Sequence, residues 1–161
     1  MKVLFIGNTR LGDAIISTCI LQLYNKKGND ITVVCGPIAT SIYSNFKYVN
    51  KVISIKKKRY SKHWIELYYQ LKSNRWDVII DLRNTLISRL VRKNKIYRLS
   101  NKNEQLHKVV HLSQLMKIRK KISPKLYVSK KFKEEAAFFI KKNGINNKTI
   151  AISPVTNWRR K

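Results

Sequence analysis

The sequence contains no long hydrophobic run, only two cysteines and few acidic residues. No apolar stretch approaches the ~18–20 residues that a membrane-spanning helix needs. The N-terminus passes directly into a predicted strand, without the basic, apolar and small-residue regions of a secretory leader. We therefore expect a cytoplasmic protein in which Cys19 and Cys35 are reduced and buried, since neither has the spacing of a metal ligand.

Acidic side chains are outnumbered by basic ones to an unusual degree. Eight Asp and Glu stand against 35 Lys and Arg, for a formal net charge of +27 at pH 7. Such a surface binds polyanions whether or not it evolved for that purpose, so nucleic acid, an anionic membrane face and a phosphorylated acceptor are all candidate partners. The chain is also rich in Ile and Asn, which together with Lys suggests a biased nucleotide composition in the source. The charge alone therefore does not define the function.

The remaining composition is that of a globular domain with an ordinary core. Of the 161 residues 43% are hydrophobic and 10% aromatic, which argues against general disorder. The apolar pattern predicts strands over residues 2–6, 31–35, 49–55, 75–81, 95–99 and 149–154. It predicts helices over residues 13–26, 38–46, 61–73, 106–116 and 130–142, and one that ends near residue 92. This alternation is typical of an α/β fold with a parallel sheet.

The first eighteen residues form the most informative stretch, a strand followed by a glycine-containing loop and a helix. Ligands of parallel α/β sheets bind beyond the carboxyl ends of the strands, so the loop over residues 7–13 lies at the expected site. It is not the GxGxxG of dinucleotide-binding proteins. Gly7 and Gly12 have P-loop spacing, but Asp13 stands where that motif has its lysine, and a carboxylate would repel phosphate.

Asp13 has two interpretations at this point. An Asp at a helix N-terminus is favoured by the helix dipole, so Asp13 can serve only to cap the first helix. A fixed carboxylate that faces a ligand crevice can instead act as a general base. The spacing alone does not decide between the two.

Residues 5–18, FIGNTRLGDAIIST, resemble the opening of glycosyltransferase family 9, the ADP-heptose:lipopolysaccharide heptosyltransferases and their relatives. The resemblance implies a GT-B enzyme, and for this chain a Rossmann-like three-layer αβα sandwich with a mostly parallel sheet. It also implies that Asp13 is the base that deprotonates an acceptor hydroxyl, with Thr9, Arg10 and Gly12 on the acceptor side.

A second segment, the strand over residues 75–81 with the loop and helix after it, also resembles the family. Ser88 fits the family's pattern, whereas Ile87 stands where the family often has arginine. Asp81 at the strand end can brace the loop, as short acidic side chains commonly do. The basic residues 56–59 follow the third strand, and they are either a solvated connector or part of an acceptor site.

His107 and His111 are four residues apart, a spacing that can hold a metal. The HKVVH sequence lacks the glutamate of HExxH, and no third ligand is evident. We therefore expect no metal, and no cofactor other than a nucleotide-sugar co-substrate such as ADP-heptose. In the family, the segment around His107 indicates domain architecture rather than catalysis.

The C-terminal residues 150–161 resemble the first strand of the family's C-terminal, donor-side domain. This implies a domain over residues 1–148 and the start of a second over 149–161, with Thr156, Asn157 and Lys161 near the donor diphosphate. Because a GT-B donor lies mainly on the second domain, we expect a truncated or split enzyme that is inactive alone. A separate chain that supplies the C-terminal half is then an expected partner.

The resemblance implies transfer of a sugar from a nucleotide sugar to an anionic saccharide or a lipid A-type acceptor, with peripheral contact to the inner face of the cytoplasmic membrane through the basic surface. The alternative is a basic α/β module that binds nucleic acid. The sequence contains no recognisable nucleic-acid motif, and its basic residues are spread along the chain, so the first interpretation is preferred.

Overall fold

The computed structural model describes residues 1–56, 58–99, 107–119 and 122–152. The strands are β1 (Lys2–Ile6), β2 (Asp30–Cys35), β3 (Val49–Ser54), β4 (Trp76–Asp81) and β5 (Lys93–Arg98). The helices are α1 (Leu11–Tyr24), α2 (Thr40–Ser44), α3 (Lys62–Leu71), α4 (Ile87–Leu90), α5 (Lys108–Leu115) and α6 (Lys130–Lys142). Short 3-10 turns, Pro37–Ala39 and Arg59–Ser61, precede α2 and α3.

The five strands form one sheet in the order β3-β2-β1-β4-β5, and every pairing is parallel. In the central strand, Phe5 is paired with Val33 of β2 on one side and with Ile80 of β4 on the other. The chain runs outward from β1 to β3 and then returns to the opposite side of β1. The carboxyl ends of β1 and β4 therefore flank the topological switch point of the sheet.

Alternate residues of the central strands enter two separate cores, because successive strand side chains point to opposite faces. Val3 and Phe5 belong to a core built with α1, α2 and α5. Leu4 and Ile6 belong to the other core, which includes Leu67 of α3 and residues of α4. The helices thus cover both faces of the sheet, and the predicted three-layer αβα architecture is confirmed.

The elements predicted over residues 38–46 and 149–154 differ from the structure. The helix predicted over residues 38–46 is a 3-10 turn followed by the five-residue α2, with Pro37 at the first position of the turn. The strand predicted over residues 149–154 is absent from residues 149–152, and its last two residues lie outside the described chain. A strand needs a hydrogen-bonded neighbour, and the described residues 128–152 contain α6 and no strand.

The chain divides into two compact units, Met1–Tyr127 and Val128–Lys161. In the second unit the Ser129 hydroxyl accepts a hydrogen bond from the Phe132 amide and caps α6. The apolar side chains of α6 were expected to be buried, but Phe132, Phe139 and Ile140 are each about half exposed. The domain boundary after residue 148 stays a prediction.

Both cysteines are free and buried, as predicted. Burial raises the pKa of the Cys19 thiol and that of the Cys35 thiol, so both favour the protonated form. Within the described ranges, no helix is long and apolar enough to cross a membrane.

Candidate functional site

The β1–α1 loop leaves the sheet at the switch point, and close packing beneath it requires glycine. A Cβ on Gly7 would lie 2.8 Å from the hydroxyl oxygen of Tyr43. That oxygen is itself 2.8 Å from Ser17 Oγ, and both side chains are fully buried. Burial raises the pKa of Tyr43, which keeps the phenol neutral. A Cβ on Gly36, after β2, would lie 3.0 Å from Thr9 Cα, so the loop is supported from two sides.

Asp13 lies in the first turn of α1, but it does not cap the helix. The helix begins at Leu11, with Arg10 at the cap position, and no side chain accepts a capping hydrogen bond there. The interpretation of Asp13 as a capping residue is therefore wrong. Its side chain is 35% exposed, and Lys108 Nζ of α5 lies 4.0 Å from Oδ1. The negative charge suits the positive end of the helix dipole and is accessible from the carboxyl edge of the sheet.

The three residues predicted on the acceptor side, Thr9, Arg10 and Gly12, are all exposed, but only Thr9 lines a cleft. Thr9 is exposed and lines a cleft at the carboxyl edge of the sheet, and Arg10 is exposed at the start of α1. Gly12 is exposed, and a Cβ there would meet nothing within 4 Å, so packing does not require this glycine. The donor-side residues predicted from the resemblance, Thr156, Asn157 and Lys161, lie outside the described residues.

Asp81 ends β4 and braces the loop that follows it. Its carboxylate is completely buried. Oδ1 accepts a hydrogen bond from the Arg83 amide at 2.9 Å, and Oδ2 accepts from the amide and hydroxyl of Thr85 at 2.6 and 3.0 Å. The bracing role predicted for Asp81 is confirmed. Ile87, by contrast, is buried in the core of the sheet, so the cation presented from this loop is Arg83.

The cleft has a volume of about 620 Å³ and opens at the carboxyl ends of the strands. The residues that line it come from segments after β1, β2, β3 and β4 and from the start of α3: Thr9, Pro37, Ile55, Lys56, Ser61, His63, Trp64 and Arg83. Lys56 and Arg83 are cations and none of the eight is acidic, so the cleft is suited to an anionic ligand.

Arg83 is held against the face of an aromatic ring. Its guanidinium carbon lies 5.0 Å from the centre of the Trp64 ring, within the range of a cation–π contact. Burial lowers the pKa of Arg83, while the charge of Asp81 acts in the opposite sense. The guanidinium makes no hydrogen bond or ion pair with any residue that the structure describes. Within the described ranges, its contact with Trp64 is thus the only one recorded for the guanidinium.

The turn between β3 and α3 forms one rim of this cleft and is strained. Tyr60 and Ser61 both have left-handed backbone conformations, with φ of 53° and 57°, which are uncommon for residues other than glycine. The Lys58 amide donates a hydrogen bond to His63 Nδ1 at 3.2 Å, and Lys58 Nζ pairs with Glu66 at 2.6 Å. Lys56 is exposed and also lines the cleft, so both interpretations of segment 56–59 stay open.

Sequence reasoning missed Lys108, Trp64 and Arg83 as site residues. Lys108 reaches Asp13 only because α5 packs against α1 in the folded chain. Arg83 had a usable signal, since it is the one basic residue in the polar loop after a strand that ends in Asp81. The expectation that His107 and His111 hold no metal stays a prediction. In the part of the chain that the structure describes, no group of three or more His, Cys, Asp or Glu side chains could hold a metal ion.

The described sheet, with its strand order and its helices on both faces, defines an open parallel α/β fold of the Rossmann type. Comparison with solved structures relates it more specifically to GT-B glycosyltransferases. A glycosyltransferase family 9 protein from Veillonella parvula has a TM-score of 0.69 at 16% identity, with 92% of this chain and 51% of that chain covered.

Two Escherichia coli structures share this fold. The ADP-heptose lipopolysaccharide heptosyltransferase II has a TM-score of 0.56 at 16% identity, over 91% of this chain and 52% of its own. Heptosyltransferase WaaC, solved with ADP, has a TM-score of 0.51 at 18% identity, with 93% of this chain and 50% of that chain covered. No family model and no curated protein sequence matches the chain. The likeness is one of fold, and the chain spans about half the length of these structures.

Proposed function

We propose that this chain supplies the acceptor-side half of a glycosyltransferase of the heptosyltransferase type, with Asp13 as the general base. The observation that carries the proposal is the position of the Asp13 carboxylate. It is partly exposed in the first turn of α1, at the carboxyl edge of a sheet with the GT-B fold. A base for a sugar hydroxyl must be accessible to the hydroxyl proton, and the partial exposure of this carboxylate supports that role.

In the proposed reaction, Asp13 takes the proton from an acceptor hydroxyl, and the resulting oxygen attacks the anomeric carbon of a nucleotide sugar such as ADP-heptose. The new glycosidic bond forms as the bond from the anomeric carbon to the diphosphate oxygen breaks, and the nucleoside diphosphate leaves with that electron pair. Lys108 Nζ lies 4.0 Å from Oδ1 of this carboxylate. Thr9 and Arg10 contact the acceptor.

Three further parts of the proposal concern the partners and the surroundings of the chain. The donor diphosphate is held mainly by a second, C-terminal half, and Thr156, Asn157 and Lys161 of this chain contribute to its binding. The chain alone does not turn over the donor. No metal takes part. The protein acts at the cytoplasmic face of an anionic membrane, toward which its net charge of +27 draws it.

Acceptor binding is the direct test, because it does not require the donor half. A deacylated lipopolysaccharide-core saccharide is titrated into ¹⁵N-labelled protein, and the amide signals of residues 9–13 are expected to shift saturably. Asp13→Asn is expected to weaken the binding, since the hydroxyl then loses a charged acceptor, and Asp30→Asn at the opposite edge of the sheet is the control. Shifts confined to other surfaces would contradict the proposal.

Turnover provides a second test. With a C-terminal half supplied as a separate chain, Asp13→Asn is expected to slow release of the nucleoside diphosphate about 10²–10⁴-fold, as expected for loss of a general base. Equal rates for the two proteins would exclude Asp13 as the base. Turnover of ADP-heptose by the 161-residue chain alone would contradict the expectation that it is inactive by itself.

A further inference from the structure

The turn between β3 and α3 is attached to α3 through the side chain of His63. The Lys58 amide donates a hydrogen bond to His63 Nδ1 at 3.2 Å, so this nitrogen carries no proton. Lys58 Nζ also pairs with Glu66 of α3 at 2.6 Å, but both of these side chains are about half exposed. An exposed ion pair contributes little by itself, so the hydrogen bond to the imidazole is the more specific of the two attachments.

The attached turn has a conformation that its backbone does not favour. Tyr60 and Ser61 have φ of 53° and 57°, in the left-handed region that residues other than glycine seldom adopt. Tyr60 is 75% exposed, so burial of its side chain offsets little of this strain. Such a conformation persists only where surrounding contacts hold it, and the contact of Lys58 with His63 is one of them. Loss of that contact is therefore expected to let the turn relax.

His63 is the residue of this turn and its attachments whose charge can change under mild conditions. Histidine ordinarily titrates at about pH 6.5, whereas lysine, arginine and glutamate keep their charges between about pH 5.5 and 8. A neutral imidazole has one acceptor nitrogen, but an imidazolium has two N–H donors and no acceptor. On protonation, the Lys58 N–H would face an N–H of the ring, and the hydrogen bond would be lost.

The charges around His63 add to this effect. Lys56 and Lys58 line a pocket of about 240 Å³ together with the ring, and Lys56 and Arg83 line the cleft with it. These cations repel an imidazolium. The carboxylate that lines the same pocket, that of Glu66, is already paired with Lys58. A protonated His63 is thus driven away from its present position by the groups that surround it.

We propose that His63 is a pH-sensitive switch for the β3–α3 turn. With a neutral ring the turn is held in its strained form against α3, and with a protonated ring it is released. Lys56, Ser61 and His63 line the cleft, so release of the turn changes the shape of its wall. The switch acts through the Lys58 amide and does not involve Asp13, so it is independent of the proposed function.

The test is an NMR titration of the whole ¹⁵N-labelled chain from about pH 5.5 to 8, the range in which histidine changes its charge. The imidazole signals of His63, assigned with His63→Asn, report its protonation, and the amide signals of Lys58, Tyr60 and Ser61 report the turn. We expect the three amides to shift with the same midpoint as the ring. The hydrogen-exchange protection of the Lys58 amide is expected to fall about tenfold when the ring is charged. An amide of Lys58 that keeps its protection while the ring titrates would overturn the proposal.

Three variants separate the switch from a general effect of pH. His63→Asn places an amide oxygen near the position of Nδ1 and does not titrate in this range, so the turn is expected to stay held throughout. His63→Phe keeps a planar ring without an acceptor, so its turn signals at high pH are expected to resemble those of the wild type at low pH. His107→Asn removes a histidine outside the turn and is expected to leave the pH dependence of the Lys58 amide unchanged. Persistence of that dependence in His63→Asn, or full protection of the Lys58 amide in His63→Phe, would overturn the proposal.

Discussion

Asp81 offers the sharpest test of how the site is held together. Its carboxylate has no solvent exposure and accepts three hydrogen bonds, from the amides of Arg83 and Thr85 and from the Thr85 hydroxyl. Asp81→Ala removes the acceptor for two main-chain N–H groups in the part-buried loop. A buried donor left unsatisfied costs about 1–3 kcal/mol, so the free energy of unfolding is expected to fall by about 3–5 kcal/mol. Asp81→Asn retains one acceptor oxygen and is expected to lose less.

The measurement is urea unfolding followed by tryptophan fluorescence. With a denaturant slope of about 2 kcal/mol/M, the loss corresponds to a fall of about 2 M in the midpoint. Asp77→Ala is the matched control in the same strand. Asp77 accepts hydrogen bonds from the Lys2 amide and the Asn94 side chain near the surface, so about 1 kcal/mol or less is expected. The reasoning is refuted if Asp81→Ala destabilises the protein no more than Asp77→Ala.

Two further predictions concern the core around the site. Gly7→Ala places a methyl group 2.8 Å from the Tyr43 hydroxyl oxygen, and about 1–3 kcal/mol of stability is expected to be lost. Tyr43→Phe removes the hydroxyl that the new methyl group meets, so the double variant should lose less stability than the sum of the two single variants. Strictly additive losses would show that the methyl group and the hydroxyl do not meet. Burial, and then Tyr97, raise the pKa of Tyr24 from 10.0 to about 12. The neutral phenol is favoured in the folded state, so stability is complete below pH 10 and declines as the pH rises from 10 to about 12. Urea midpoints at pH 9 and 11 should differ less for Tyr24→Phe than for the wild type, and an equal difference would contradict this.

Much of the fold was predictable because apolar runs and helical spacing are local signals. The strand over residues 2–6 matches β1 residue for residue, and α6 matches its predicted range. Short elements were less predictable. The helix predicted to end near residue 92 is only α4, residues 87–90, because its length is set by packing against the sheet and not by its own propensity.

The candidate site was predictable in part. The glycine loop, Asp13 and the bracing role of Asp81 could be inferred from residue type and position, since each acts within a few residues of its own place in the chain. The capping interpretation of Asp13 was wrong, because whether a helix starts at residue 11 or 13 depends on backbone geometry that composition does not reveal.

The sequence by itself determined an alternating α/β chain with a carboxylate after its first strand. The reason is that the spacing of apolar residues and the positions of glycine set secondary structure over only a few residues. Only the tertiary structure decided which cations serve the site. Lys108 reaches Asp13 through the packing of α5 on α1, and Arg83 meets Trp64 because α3 packs on the face of the sheet that includes β4. Residues so distant in sequence come together through the strand order and the burial of two cores, which no local pattern specifies.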